Sequence, residues 1–400
     1  MNNLNKRQAI APTVWLLGIV SLLMDVSTEM VQTLLPVYLV SSLGISAVMI
    51  GLIEGAAMTI AMVTRLFAGV LSDWFRQRKT LTLIGYGLGA LSKPIFPMAD
   101  TALAVFGAKF VDRVGKGIRS APRDAMIADV SPPEIRGASF GLRKSLDTVG
   151  GFLGPLIAIG IMLASGDNIR LVFWLAVVPA LAAVIVLGFF VREPKPAAGS
   201  TTKAAPKTWR FADAARLNRA VWTVIAVAMF MALARFSEAF LLLRASQVGW
   251  SLAWLPLVIV LLHVVYGMVA YPAGRIFDRS GPRGLLLAGM ACLIGADIAM
   301  AQASDPMLLL AGIVLWGLHM GLTQGVLATL VAQTAPAHLK GTAFGVLSLG
   351  TAIAVLLGNL LAGVLWETMG SSYTFLAGAV LSLLACIGLA AIPRRAWSSG

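Results

Sequence analysis

The chain has 400 residues, of which 58% are hydrophobic and only 12% are charged, and its mean hydropathy is +0.86. A soluble domain carries about 25% charged residues, so the composition excludes a soluble protein and indicates an integral membrane protein. The net charge of +13 would suit nucleic acid, but the basic residues are concentrated in alternate loops, which indicates membrane topology and excludes that partner.

Twelve segments are apolar over about 20 residues, the length that crosses a bilayer as a helix. In the first half they are residues 14–40, 47–72, 80–99, 102–128, 138–164 and 170–191, and in the second half 220–244, 252–276, 283–302, 306–332, 342–366 and 372–392. They predict an all-α membrane protein with twelve transmembrane helices. We interpret the first segment as a retained helix, because no cleavage site follows a short apolar core.

The first segment carries two carboxylates, Asp25 and Glu29, one helical turn apart. They share a helix face with Thr28 and Gln32. A charge at the bilayer centre costs at least about 2.5–3.5 kcal/mol, so such residues mark a function. Two neighbouring carboxylates in a low dielectric do not both ionise easily, and one can exchange a proton. The pair predicts a proton or cation site, with a permanent salt bridge to the Arg113 region as the alternative.

Basic residues in every second loop set the orientation. They are Arg76, Arg78, Lys79, Arg136, Arg279, Arg283 and Lys340, with Lys6, Arg7, Arg394 and Arg395 at the termini. The opposite loops carry almost only Arg170. By the positive-inside rule both termini are cytoplasmic. We expect a multi-pass protein of the plasma (inner) membrane, embedded in the lipid bilayer.

The two halves of the chain resemble each other. GVLSDWFRQR at 69–78 corresponds to GRIFDRSGPR at 274–283, and PPEIRGASFG at 132–141 to PAHLKGTAFG at 336–345. A basic, proline-containing stretch at 192–219 predicts a cytoplasmic linker between an N-terminal bundle, 1–191, and a C-terminal bundle, 220–400. Duplicated halves are typical of transporters, whose site lies near the midplane between the repeats.

On these motifs the chain resembles the major facilitator superfamily over its whole length. The family's loop signature, G-x-x-x-D-R-x-G-R-R, has its second-half copy at Gly274, Asp278, Arg279, Gly281 and Arg283. The first-half copy keeps Gly69, Asp73 and Arg78, but has Trp74, Arg76 and Gln77 where Arg, Gly and Arg are usual. The resemblance implies two pseudo-symmetric six-helix bundles and a gating or structural role for the matching residues.

Two further motifs refine the resemblance. Arg113 and Gly117 match the R-x-x-x-G signature of the fourth helix. GGFLGPLIAIG, which includes Gly154 and Pro155, matches a fifth-helix motif that is typical of proton-coupled antiporters in this family. The small residues of this motif predict a close approach to a neighbouring helix, and Pro155 predicts a bend.

The fourth helix carries a stripe of charged residues along one face. They are Lys109, Asp112, Arg113, Lys116, Arg119 and Arg123, followed by Asp124. Because the stripe cannot face lipid, it faces the cavity or neighbouring helices. We expect Arg113 and Lys116 to bind an anionic group of a substrate. We expect Arg119, Arg123 and Asp124 to form a charge cluster at the cytoplasmic gate.

Several other polar residues lie in apolar segments. Arg235 and Glu238 in the seventh helix are three residues apart, on one helix face, and predict either a mutual ion pair or a cavity-lining role. His319 is a secondary proton-carrier candidate, whereas His263 suits a packing role. Glu54 suits either packing or the cavity. The alternative for the deeper basic groups is neutralisation by Asp25, Glu29, Glu54 or Asp147.

These observations predict a secondary transporter that works by alternating access, most simply proton-coupled efflux of a small drug-like or anionic organic solute. The alternative is an importer or facilitator of an anionic metabolite or a siderophore-like compound. The assigned proton-coupling residues are Asp25, Glu29, Glu238 and His319, and the substrate-binding residues are Gln32, Arg113, Lys116 and Arg235. No nucleophile–base pair, metal-ligand pattern or P-loop is present, so we expect no enzyme activity, metal or cofactor. A monomer is expected, because each chain contains both halves of the site.

Overall fold

The computed structural model describes residues 10–75, 77–132, 135–192, 211–335 and 339–391, and within them the secondary structure is helical. The helices of the first half are α1 (Pro12–Gln32), α2 (Leu35–Ser41), α3 (Ala47–Phe75), α4 (Arg78–Ser92), α5 (Ile95–Met98), α6 (Ala102–Val130), α7 (Arg136–Ser165), α8 (Ile169–Leu175) and α9 (Val177–Phe190). Those of the second half are α10 (Arg219–Ala234), α11 (Glu238–Gln247), α12 (Pro256–Ser280), α13 (Pro282–Gln302), α14 (Pro306–Thr334), α15 (Lys340–Thr368) and α16 (Ser371–Ala391).

Ten helical spans in the described ranges are long and apolar enough to cross a membrane. They correspond to all predicted crossings except the third and fourth. The third is divided into α4, which has 15 residues, and the short α5. The fourth is α6, whose 29 residues include eight Asp, Lys or Arg side chains. Both are helical at the predicted places, and the chain is an all-α membrane protein.

Four crossings predicted as single helices are each divided in two, at Thr33–Leu34, Lys93–Pro94, Ala176 and Arg235–Ser237. Proline accounts for the breaks near Pro36 and Pro94, because it lacks the N–H that would continue the helical hydrogen bonds. The break before α11 has another cause. Ser237 has extended backbone and caps α11 by accepting a hydrogen bond from the Ala239 N–H.

Helix packing groups the helices of each half together. In the first half α1 packs on α7 and α9, and α6 packs on α3 and α4. In the second half α13 packs on α14 and α16, and α10 packs on α15 and α16. The two halves meet along α3 and α15 and along α7 and α12. Most of the predicted linker, residues 193–210, lies outside the described residues, so its boundaries stay a prediction.

Small residues allow α3 and α15 to touch across the two halves. A Cβ atom at Gly55 would lie 2.9 Å from the Leu356 Cα, and one at Gly363 would lie 2.5 Å from the Ala47 carbonyl oxygen. Two hydrogen bonds accompany this contact: the Ala47 N–H donates to Glu367 Oε2 at 2.9 Å, and the Thr59 hydroxyl donates to the Ala352 carbonyl at 2.9 Å. The contacts of Ala47 with Gly363 and Glu367 join the start of α3 to the last turns of α15. This side of the molecule is opposite to the start of α1.

Candidate functional site

Five ionisable side chains from both halves meet between the bundles, and we call them the central charge cluster. They are Asp25 and Glu29 of α1, Lys116 of α6, Glu238 at the start of α11 and His263 of α12. The other four lie close enough to Glu29 to interact with its carboxyl group electrostatically. All five side chains are half-buried, which fits groups that line a cavity. The predicted pair of carboxylates therefore lies where the halves face each other.

The members of the central charge cluster are not locked into ion pairs. Among the described residues, no salt bridge joins any of the five to an oppositely charged side chain, although the network elsewhere contains several. His263 uses Nδ1 to contact the Ile259 carbonyl of its own helix at 2.9 Å, which leaves its other ring nitrogen for the cavity. Charges near one another but unpaired can respond to a proton or a charged substrate. The predicted alternative, a permanent salt bridge from Asp25 or Glu29 to Arg113, is therefore wrong for the described residues.

The glycines of the antiporter-like motif hold α7 against the two carboxylates. A Cβ atom at Gly150 would lie 2.6 Å from the Leu22 carbonyl oxygen and 3.1 Å from the Asp25 Cβ. One at Gly154 would lie 2.7 Å from the Val26 carbonyl oxygen and 2.8 Å from the Glu29 Cβ. The close approach predicted from this motif is thus present, and its partner is the face of α1 that carries the carboxylates. Helix α7 continues through Pro155 to Ser165.

The charged residues in the first half of α6, from Lys109 to Arg113, form contacts inside the N-terminal bundle. The Lys109 ammonium donates to the Glu54 carboxylate. Asp112 accepts a hydrogen bond from the Lys93 ammonium at 2.9 Å and lies 3.7 Å from the Arg113 guanidinium. These five side chains are all at least 90% buried. Lys109 is therefore neutralised by Glu54, as the predicted alternative allowed, whereas Lys93 and Arg113 share the single negative charge of Asp112.

The charged residues in the second half of α6, Arg119, Arg123 and Asp124, form a second group of contacts. The Arg119 guanidinium stacks on the Tyr86 ring, 4.5 Å from its centroid. Arg123 donates to the Ser21 hydroxyl at 2.9 Å and contacts Asp124 at 3.1 Å. Asp124 also lies 3.8 Å from Arg143. The predicted association of Arg123 with Asp124 is present, whereas Arg119 contacts an aromatic ring.

The remaining predicted gating residues are distributed over both bundles. Arg78 pairs with Asp129 at the end of α6 and donates to the Ala125 carbonyl at 3.0 Å. Arg283 donates to the Ala390 carbonyl at 2.5 Å, and Arg279 is exposed at the end of α12. Gly274 is exposed on α12. The side chains of Asp73 and Asp278, and the surroundings of Gly69, lie outside the described part of the structure.

Arg235 and Glu238 do not lie on one helix face, and that prediction is wrong. The seventh crossing is broken between them: Arg235 ends α10 with extended backbone (φ −91°, ψ 100°) and Glu238 begins α11. The break is held by Asn359 of α15, whose side-chain oxygen accepts a hydrogen bond from the Ser237 N–H at 2.7 Å. Glu238 still lies close enough to interact electrostatically with Arg235. A broken helix presents free backbone groups and charges to a cavity, as in other transporters.

The other two predicted residues differ in their surroundings. His319 is 2% exposed, and its Nδ1 contacts the Gly289 carbonyl of α13 at 2.9 Å, so it is tied to a neighbouring helix. Gln32 is half-buried at the C-terminal end of α1. Their predicted roles in proton coupling and substrate binding stay predictions.

Sequence reasoning missed two residues and undervalued a third. Lys93 was overlooked, although a lysine before Pro94 near the end of an apolar segment signals a buried partner. His263 was interpreted as packing, yet it lies close enough to interact electrostatically with Glu29 of the other bundle. Asp297 on α13, a lone carboxylate in an apolar segment, carries the same signal as Asp25 and was not assigned. Within the described residues no group of three or more His, Cys, Asp or Glu could hold a metal ion.

Proteins of known sequence resemble this chain over nearly its whole length. An uncharacterised MFS-type transporter of Methanocaldococcus jannaschii is 28% identical over 394 residues, which cover 96% of this chain and 95% of that protein. The quinolone resistance protein NorA of Staphylococcus aureus is 25% identical over 228 residues, 56% of each chain.

Solved structures share the fold at low sequence identity. A mutant of the nucleoside transporter NupG superposes with a TM-score of 0.80 at 13% identity, over 95% of this chain and 99% of that chain. The human organic anion transporter MFSD10 superposes with a TM-score of 0.65 at 18% identity, over 95% of this chain and 100% of that chain. These similarities establish the fold alone.

The family assignment rests on the sequence model of the Major Facilitator Superfamily. It matches residues 17–351 and again 264–396, so the two matches together span nearly the whole chain. The match agrees with the all-helical architecture, the duplicated halves and the relatives named above. The chain belongs to the Major Facilitator Superfamily and is a multi-pass membrane transporter of that family.

Proposed function

We propose that this transporter exports a small, drug-like organic solute in exchange for protons, by rocking its two bundles about the central charge cluster. The observation that carries the proposal is the environment of Glu29, on which Asp25 and Lys116 act from its own bundle and Glu238 and His263 from the other. A rearrangement of the bundles must change the charges around Glu29. Its affinity for a proton therefore differs between the two states, which is the requirement for coupling.

The charges of the central charge cluster support a neutral or cationic solute over an anionic one. Three of its five members are carboxyl groups, on Asp25, Glu29 and Glu238, against the ammonium of Lys116 and the imidazole of His263. The α6 stripe keeps a basic excess, because Glu54, Asp112 and Asp124 are three acids against its five basic residues, but Arg113 and Arg119 in that stripe are buried side chains. A solute with a positive charge would compete with the proton for the same carboxylates. Because the carboxylates can bind the proton or the solute but not both at once, this competition leads to exchange of the solute for protons.

The direction of transport rests on two lines of support. The GGFLGPLIAIG motif is typical of antiporters, and its Gly150 and Gly154 lie against Asp25 and Glu29. The partial similarity to a quinolone resistance protein also favours export of drug-like compounds. The proposal includes cytoplasmic termini in the inner membrane, in agreement with the basic loops, and a monomer as the working unit.

The test uses inverted membrane vesicles that contain the full-length transporter. Ethidium serves as the cationic probe and fluorescein as the anionic probe, with an imposed proton gradient. We expect gradient-driven ethidium uptake, its loss on adding a protonophore, and at least about a 10²-fold lower rate in Glu29→Gln and Asp25→Asn, as for removal of an essential proton carrier. Asp100→Asn, at an exposed carboxylate paired with Arg170, is the matched control and should transport normally.

Each contrary result points to a different correction. If both carboxylate variants keep gradient-driven uptake, Asp25 and Glu29 are not the proton carriers. Uptake of fluorescein that is lost in Arg113→Ala would restore the anionic-substrate interpretation. Equilibration of either probe that persists without a proton gradient would make the protein a facilitator, the alternative function. A thermal-shift panel with the same probes reports binding separately, because a ligand that binds the folded state raises the melting temperature.

A further inference from the structure

Asp297 of α13 is enclosed in the C-terminal bundle without any polar partner. Its exposed fraction is 0%, and neither carboxyl oxygen has a hydrogen-bond partner among the described residues. The buried carboxylates of the N-terminal bundle differ in this respect, because Glu54 and Asp112 each contact a lysine. An isolated buried carboxyl group in a membrane protein is costly and points to a function.

The surroundings of Asp297 are apolar. A Cβ atom at Gly378 of α16 would lie 2.8 Å from Asp297 Oδ2 and 3.1 Å from Cε2 of the Phe236 ring. Asp297 therefore lies where α13, α16 and the break between α10 and α11 meet. The adjoining elements carry titratable groups, among them Arg235, Glu238, His319, Tyr373 and Cys386. Among the described residues none of these groups hydrogen bonds to Asp297.

A proton is the ligand that this site can hold. An ionised carboxylate with no hydrogen bond and no counter-charge is strongly disfavoured in apolar surroundings, whereas the protonated acid is neutral. A metal cation needs several oxygen ligands, about six to eight for calcium. Beside Gly378, the neighbour of the Asp297 carboxyl group is the edge of the Phe236 ring, which offers no oxygen ligand. The neutral, protonated acid is therefore the form that suits these surroundings.

We propose that Asp297 is a second proton-binding site of the transporter, sealed in this conformation and opened when the break between α10 and α11 moves. The Phe236 ring edge and the Asp297 carboxyl group both lie beside Gly378, and Phe236 belongs to the break between Arg235 and Glu238. The break is held from outside the α10–α11 segment by the Asn359 side chain, through the hydrogen bond to the Ser237 N–H. Movement of the break on substrate binding would shift Phe236 and admit water to the carboxyl group. Proton release there is thereby linked to the geometry of the substrate site.

This inference rests on the proposed function for its role in coupling, but its chemistry can be measured in the resting protein. The first measurement is infrared difference spectroscopy of the purified full-length transporter in lipid. We expect a carboxylic acid C=O band at the high-frequency end of its range, as for an acid without hydrogen bonds, that exchanges slowly with deuterium. The band should be lost in Asp297→Asn and unchanged in Asp25→Asn, the control in which a half-buried carboxyl group is replaced.

A band that survives in Asp297→Asn, or exchanges at once in the wild type, would overturn the proposal. If Asp297→Asn fails to fold, Gly378→Ala serves as the second variant. Its added methyl group would press on Oδ2 and should shift the frequency of the band without removing it, and an unshifted band would contradict the assignment.

The second measurement tests the link to conformation. Spin labels at Met49 and Met369, exposed residues near the facing ends of α3 and α15, report separation of the bundles on that side. We expect a higher pH to increase the separated population in the wild type and to have at least about a tenfold smaller effect in Asp297→Asn. An equal response in both proteins would refute the coupling. Failure of the proposed function would appear instead as unchanged transport in Glu29→Gln, with the Asp297 band intact.

Discussion

Helices α6 and α14 occupy corresponding places in the two halves, and they differ in chemistry. Each has 29 residues, but α6 carries eight Asp, Lys or Arg residues whereas α14 carries none. The duplicated halves kept the lengths and packing partners of these helices: α6 packs on α4, and α14 packs on α13. The comparison teaches that one fold accommodates two kinds of interior. Within the described residues, the N-terminal bundle contains buried ion pairs, whereas the C-terminal bundle encloses Asp297 without a hydrogen-bond partner.

The contrast extends to individual contacts. Gly85 and Gly289 are equivalent by the internal repeat, and so are Arg119 and Thr323. A Cβ atom at Gly85 would meet the backbone N of Arg119 at 2.7 Å, whereas one at Gly289 would overlap the Thr323 methyl group. The same close approach of two helices is thus preserved with a different residue at the contact. Four comparisons, each between variants and their controls, test how far this contrast between the bundles holds.

The largest effect is expected for Lys109→Met. Removal of one partner from a buried ion pair destabilises a protein by about 3–5 kcal/mol, because the other charge is left buried without compensation. The Lys109 ammonium donates to the Glu54 carboxylate with both side chains at least 90% buried, so a large drop in the unfolding free energy in detergent is expected. The double variant Lys109→Met with Glu54→Leu should recover most of the loss. Equal losses in the single and double variants would mean that packing, not charge, holds this site.

The next effect is expected for Gly154→Ala. The new methyl group would lie 2.7 Å from the Val26 carbonyl oxygen and would push α7 away from Glu29, which costs about 1–3 kcal/mol by overpacking. Gly151→Ala on the same helix is the control, since a Cβ there meets nothing within 4 Å. Transport and melting temperature should both fall in Gly154→Ala only. Normal transport in that variant would separate the antiporter-like motif from the carboxylate site.

A smaller, paired effect is expected at the equivalent glycines. Gly85→Ala meets backbone atoms of α6 that cannot move aside, so it should cost about 1–3 kcal/mol. Gly289→Ala meets a threonine side chain and should cost less, about 1 kcal/mol or below. Gly87→Ala, whose Cβ meets nothing within 4 Å, is the control and should be neutral or stabilising. Melting temperatures of the three variants rank them, and a larger loss at Gly289 would reverse the proposed contrast.

The smallest effect is expected for Glu367→Gln, at the contact between α3 of the N-terminal bundle and α15 of the C-terminal bundle. Glu367 Oε2 accepts a hydrogen bond from the Ala47 N–H at the start of α3, where a negative charge is favoured by about 0.3–1 kcal/mol. Loss of that charge should increase the population in which α3 and α15 separate, by up to about fivefold. Spin-label distances between Met49 and Met369 measure it. Asp305→Asn, which removes a similar helix-capping charge within the C-terminal bundle, should leave the distances unchanged.

Local signals explain what could be predicted before the fold was known. The crossings at 47–72 and 342–366 were predicted because apolar length is a property of the segment itself. Asp25 and Glu29 were found for the same reason, since the cost of a charge in a bilayer does not depend on its partner. The breaks at Thr33–Leu34 and Lys93–Pro94 were missed, because Pro36 and Pro94 were interpreted as parts of continuous apolar segments.

By itself, the sequence determined the membrane class, the duplicated halves, the family and the helix face that carries Asp25 and Glu29, because each is encoded in residues close together or repeated at constant spacing. Only the tertiary structure decided which charges are paired. Lys93 meets Asp112 across a helix–helix contact, and Glu54 meets Lys109 from a different helix, whereas Asp297 has no hydrogen-bond partner in the part of the chain that the structure describes. The reason is physical: the state of a buried charge depends on what the rest of the chain brings within a few ångströms of it.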